Sequence, residues 1–238
     1  LVEAERYGYT HAYIGEHLTD KKEDIQSSLI FASAVLARTK KMNLCLCVLP
    51  LPHYEINLLI KQLEDLYLLS KGRLQIGFSQ GALKSDAEYL NFNHNERSKI
   101  FSEKLEKFMI KVNNSEILKE IPLNNFFSTL LSPFPTKASN LFDSGYSAIT
   151  SNFVNEAFWE NHIGCFTKNQ YFTNSSSKWH LTMNLIPKES ISLKTKTSIK
   201  LSLNYIYEKL NLCNLDVMIP FQKNIENNSN EEVLEILY

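Results

Sequence analysis

The chain has 238 residues, 44% of them apolar, which is enough for a large buried core, and its formal net charge is −1. That balance gives no reason to expect the concentrated basic surface that nucleic acid binding needs, and no apolar run approaches the ~20 residues that span a bilayer. The four cysteines, at 45, 47, 165 and 213, form no CxxC pair and no zinc spacing with the histidines, so the reading is a cytoplasmic protein with reduced thiols and no metal.

In chain order, Leu1, Val2, Ala4 and Tyr7 predict a helix closed by Gly8, followed by a strand over 11–17 that ends in Glu16-His17. Leu29, Ile30, Ala32, Ala34, Val35 and Leu36 recur at helical intervals and predict a helix over about 26–39. Asn43 to Leu49 is almost wholly apolar, as a strand covered on both faces of a parallel sheet would be. Ile56, Leu59, Ile60, Leu63, Leu66 and Leu69 form one stripe of a helix over 54–70, and Gly72 stops it.

The strand predicted over 73–78 runs into Ser79, Gln80 and Gly81, a small-residue turn suited to a ligand floor. An acidic, Asn-rich loop leads to a helix over about 96–112. Beyond it the pattern predicts strands at 126–131, 146–150, 179–186 and 215–221, helices at 135–144, 199–210 and from 231, and a loop at 160–178. Strands alternating with helices call for parallel pairing and right-handed crossovers, and a (β/α) barrel is their natural closure. We expect one barrel domain over 1–238 that lacks its first strand, because eight strands close the usual barrel and about seven are visible.

In such folds ligands sit at the carboxyl ends of the strands. His17 ends a strand, and an imidazole takes up and returns protons near neutral pH; capping the strand end is its structural alternative. Gly77-Phe78-Ser79-Gln80-Gly81 matches G-x-S-x-G, but a nucleophile elbow needs a helix at once, and the predicted one starts about fifteen residues later.

Ala4-Glu5-Arg6-Tyr7-Gly8-Tyr9, Glu16-His17, Ala37-Arg38-Thr39, Leu49-Pro50, Leu69-Ser70-Lys71-Gly72-Arg73, Gly77-Phe78-Ser79-Gln80-Gly81 and Arg97 resemble, in residues and spacing, the bacterial luciferase family of flavin-dependent monooxygenases. The resemblance is specific over 1–112. Further on, Leu131-Ser132-Pro133 and the run from Ser144 to Ser151 look like the ends of the fifth and sixth strands. The family's long insertion after strand seven is missing, as in the small non-fluorescent flavoproteins related to luciferase.

The resemblance implies a TIM-type barrel that uses reduced FMN and dioxygen to oxidise an aldehyde or another small organic substrate, with a separate flavin reductase as partner and a homo- or heterodimer as the assembly. His17 and Ser79 take the catalytic positions. Glu16, Leu49, Ser79, Gln80, Ser132 and Ser151 take cofactor-binding positions, the last two at phosphate-binding strand mouths where they also suit plain helix capping. Gln80 stands where relatives often have an arginine for the flavin phosphate, Leu131 where a glutamate occurs and Tyr67 where a helix aspartate is common. These departures support an alternative, a catalytically degenerate flavin-binding chain or a non-catalytic partner subunit. A deazaflavin-dependent oxidoreductase is a third reading.

Overall fold

The computed structural model describes residues 1–122 apart from Lys22, residues 125–129, and three further strands, Ser147–Thr150, Trp179–Thr182 and Leu215–Met218. The helices expected at 135–144, 199–210 and from 231, and the loop at 160–178, lie outside the described residues. The chain falls into two compact units, Leu1–Thr129 and Leu130–Tyr238.

In the first unit the elements run α1 (Val2–Arg6), β1 (His11–Ile14), α2 (Ser28–Arg38), β2 (Asn43–Pro50), α3 (Ile56–Ser70), β3 (Leu74–Ser79), α4 (Lys84–Tyr89), α5 (Arg97–Asn114) and β4 (Phe126–Thr129). The four strands pair in sequence order and all are parallel. The second unit contains β5 (Ser147–Thr150), β6 (Trp179–Thr182) and β7 (Leu215–Met218), again parallel and in order. Each unit is thus built from the parallel pairing that the strand–helix alternation predicts.

Side chains at paired positions of parallel strands share a face, and this sorts the sheet. Ala12 and Ile14 of β1, Leu44 and Leu46 of β2, and Leu74 and Ile76 of β3 fall in matched rows. That face meets the helices, because Phe78 lies edge-on to Phe108 of α5 at 5.6 Å and stacks on Phe126 of β4 at 6.1 Å. Cys45, Gln75, Gly77 and Ser79 alternate onto the other face. Every residue of β3 is buried, as a strand covered on both sides must be.

Between two pairings β2 carries one residue more than β3: Leu46 lies opposite Ile76 and Leu49 opposite Phe78, three steps against two. The Cys47–Val48 peptide within this bulge is cis. The bulge shifts the end of β2 so that Pro50 lies opposite Ser79.

The helices close on their apolar stripes. Leu29, Ala32, Val35 and Leu36 of α2 and Ile56, Leu59, Ile60, Leu63 and Leu66 of α3 are buried at intervals of three and four. Ser27 caps α2, its side chain accepting a bond from the Ile30 N–H. α3 stops where Lys71 and Gly72 both take positive φ, 53° and 83°.

Two residues of the family-like motif tie the layers together. The Glu5 carboxylate accepts the backbone N–H groups of Lys40, Lys41 and Met42, which holds its pKa below the ordinary value and fixes α1 to the turn before β2. Arg73 donates to the carbonyls of Ser70, Met42 and Leu36 and to the Thr39 hydroxyl, at 2.8 to 3.1 Å. One guanidinium thereby satisfies backbone carbonyls at the ends of α2 and α3, which their own helices leave open.

Three boundaries differ from the sequence pattern. β1 stops at Ile14 rather than reaching His17, because the Glu16 side chain is drawn towards α2. α3 begins at Ile56, after a 3-10 turn over Leu51–His53. The loop before α5 contains α4, whose polar sequence Lys-Ser-Asp-Ala-Glu-Tyr shows no apolar period.

Candidate functional site

The carboxyl ends of β1, β2 and β3 lie along one edge of the first unit, since the strands are parallel. They deliver Glu16 and His17, then Leu49 to His53, then Ser79 to Gly81. A carboxylate, two imidazoles, a hydroxyl and a side-chain amide therefore line one edge.

Glu16 is buried, and both its oxygens are used within the protein. Oε2 accepts the Ser28 N–H at 2.9 Å and the Ser28 hydroxyl at 2.7 Å, which satisfies an open N–H group at the start of α2. The Tyr54 hydroxyl donates to the same carboxylate, 2.5 and 2.6 Å from its two oxygens. Burial, and then the neighbouring Glu16 charge, push the Tyr54 phenol well above its ordinary pKa, so it stays a donor. Glu16 joins the first strand end, the second helix and the turn after β2.

His17, by contrast, is about one-third exposed, with 31% of its side-chain surface accessible. Its Nδ1 lies 3.7 Å from Oδ2 of Asp86, a carboxylate only 1% exposed, and its Nε2 lies 3.9 Å from the exposed Glu23. The other Asp86 oxygen accepts the Thr19 N–H at 2.9 Å and the Thr19 hydroxyl at 2.6 Å. That hydroxyl also lies 2.6 Å from the Ser85 hydroxyl. The short helix α4 therefore sets a buried negative charge beside the imidazole and fastens the loop after β1 to the loop after β3.

His53 lies deeper. A Cβ placed on Gly81 would come within 3.1 Å of His53 Nε2, and Gly81 has φ +80°, so only glycine suits both the turn and the imidazole against it. The ring tilts against Phe92, with centroids 5.9 Å apart. Lys104 of α5 brackets the residue from behind, donating to the carbonyls of Pro52 at 2.9 Å and Tyr54 at 2.6 Å. His53 Nδ1 is buried with no hydrogen-bond partner among the described residues. Burial lowers the His53 pKa against the pull of Asp86 and Glu16, which keeps the ring neutral.

Of the residues the sequence singled out, His17, Ser79, Gln80 and Leu49 fall on this edge. Ser79 is buried and accepts the Gly81 N–H at 3.3 Å, Gln80 is half-buried, and Leu49 is fully buried. Ser132, Ser151 and Leu131 lie outside the described residues. Arg97 starts α5 and donates to the His94 carbonyl at 2.9 Å. Asp86 sits on a helix that the sequence pattern does not predict, whereas His53 follows the apolar run of β2 that ends in Pro50-Leu51-Pro52-His53. Strand-end position flags His53, whereas nothing local flags Asp86.

The fold and this edge define a parallel α/β protein with a candidate site at its carboxyl strand ends. Residues 1–108 match the family model described as luciferase-like monooxygenase. Limonene 1,2-monooxygenase of Rhodococcus erythropolis is 33% identical over 89 residues, which cover 37% of this chain and 23% of that protein. The aligned stretch thus spans under a quarter of that relative.

Among solved structures, the oxygenating constituent of 3,6-diketocamphane monooxygenase from Pseudomonas putida, in complex with FMN, superposes with a TM-score of 0.65 at 14% identity, over 87% of this chain and 66% of that one. An F420-dependent secondary alcohol dehydrogenase, in complex with an F420-acetone adduct, gives 0.64 at 12% identity, over 92% of this chain and 87% of that one. At such identities these two likenesses speak to the fold alone.

Proposed function

We propose that this chain is the luciferase-like part of a flavin-dependent monooxygenase, closed as a TIM-type barrel and working on an aldehyde or another small organic substrate. The observation that carries the reading is the meeting of His17 with buried Asp86 on the same strand-end edge as Ser79 and Gly81. The residues present suit a flavin. Gln80 offers an amide, and a buried imidazole nitrogen of His53, without a partner among the described residues, stands nearby. Ser79 and Gln80 would hold the isoalloxazine side, with Glu16 bracing the edge through Ser28 and Tyr54.

When bound, reduced FMN supplied by a separate reductase provides the electrons that activate dioxygen. The protein's part is to exclude water and move protons. His17 is exposed enough to meet substrate and takes or returns a proton at its ring, while neutral His53 offers a hydrogen bond without charge.

Purified chain is titrated with FMN and with F420 by fluorescence and then assayed for oxygen uptake with reduced flavin and a long-chain aldehyde. Saturable FMN binding and uptake above the flavin-only rate support the proposal; binding of neither cofactor defeats it. F420 binding alone supports the deazaflavin reading. Gln80 favours a second reading, a catalytically degenerate flavin-binding chain or partner subunit of a dimer, since an amide brings no charge to a phosphate. FMN binding without uptake is its signature.

A further inference from the structure

We infer that Asp86 is a positioning residue for His17, and that it fixes the imidazole as the tautomer protonated on Nδ1, leaving Nε2 as the proton acceptor of the site. The inference rests on the proposed role of His17 but concerns a property readable without any cofactor. Asp86 is 1% exposed, so its charge needs compensation from protein groups. Oδ1 is served twice by Thr19, through the N–H and the hydroxyl. Oδ2 faces His17 Nδ1 at 3.7 Å, longer than a direct hydrogen bond but close enough for the buried charge to favour a proton on that nitrogen. A carboxylate only accepts, so the facing nitrogen must carry the proton.

The competing partner is Glu23, 3.9 Å from Nε2, which would draw the proton to the other nitrogen. Its side chain is 42% exposed against 1% for Asp86. Water and salt screen the exposed charge far more than the buried one, so Asp86 sets the tautomer.

The same geometry dictates what an amide does at position 86. Both Thr19 groups are donors to Oδ1, so the carbonyl oxygen of Asp86→Asn stays with Thr19 and its NH2 turns to His17. Nδ1 must then accept, and the imidazole switches to the tautomer protonated on Nε2. A residue that merely filled space would not reverse a proton's position.

The test is nitrogen NMR of 15N-histidine-labelled, cofactor-free chain at alkaline pH, with the His17 signals assigned by their loss in His17→Gln. Expected are the Nδ1–H pattern in the wild type, the Nε2–H pattern in Asp86→Asn, and an unchanged pattern in Glu23→Gln. Wild type protonated on Nε2, Asp86→Asn without reversal, or reversal in Glu23→Gln would each overturn the assignment. Should Asp86→Asn not fold, the wild-type pattern decides: Nδ1–H upholds the assignment and Nε2–H sinks it. A chain that binds no flavin still reports its tautomer, so failure here and failure of the proposed function are separate results.

Discussion

The Tyr54 hydroxyl sits within 2.6 Å of both carboxylate oxygens of Glu16, and that pair joins the end of the first strand to the turn after the second. The carboxylate also holds the Ser28 N–H and hydroxyl. Tyr54→Phe removes one donor from a buried acceptor and should cost about 1–3 kcal/mol. Glu16→Ala leaves the phenol and the start of α2 both unpaired and should cost more. Urea denaturation of the two variants checks the order; Tyr54→Phe at least as costly as Glu16→Ala would show the bond to be incidental.

Gly81→Ala should be destabilising by about 1–3 kcal/mol, from the positive φ and the crowding together. The added methyl meets His53 Nε2 at 3.1 Å. The imidazole must therefore move, and its NMR signals should shift even at temperatures where the variant is fully folded. Signals unchanged from wild type would mean that Gly81 and His53 do not touch.

Arg73 makes bonds to four separate groups at the ends of two helices and the start of β2. Arg73→Ala should cost about 2–4 kcal/mol, because several carbonyls lose a charged donor at once. Arg73→Lys should recover less than half of that, since an ammonium cannot reproduce the planar fork. Thermal unfolding of the three proteins measures this directly, and full rescue by lysine would contradict the geometry.

His53 predicts a pH dependence with a definite sign. Its folded pKa lies below the ordinary 6.5 because burial disfavours the charged ring. The unfolded chain therefore binds the proton first, and stability rises with pH across the window. The contribution is complete above about 6.5 and is lost as pH falls towards and through the folded value. Denaturation midpoints between about pH 7 and pH 5 should fall less steeply in His53→Asn than in wild type; equal slopes would place the titration elsewhere.

Residues 43 to 79 were legible in the sequence because periodicity reports burial: the apolar run of β2, the stripe of α3 and the closing Lys71-Gly72 all mark their own boundaries. The position of His17 just beyond a strand end was legible for the same reason. Asp86 was not, because α4 has no apolar stripe and is anchored by Thr19, 67 residues away in sequence. The early end of β1 was hidden likewise, since it follows from bonds between Glu16 and residues 12 and 38 positions further on. Long-range polar bonds built much of this edge, and they leave no period to read.

The proposed function makes the carboxyl ends of β1, β2 and β3 a single flavin-binding edge. Titrating 15N-histidine-labelled chain with FMN tests it most directly. Saturable shifts of both the His17 and His53 ring signals are expected, with His11, at the opposite end of β1, unaffected. Saturable binding that moves neither ring, or that moves His11 instead, would contradict it.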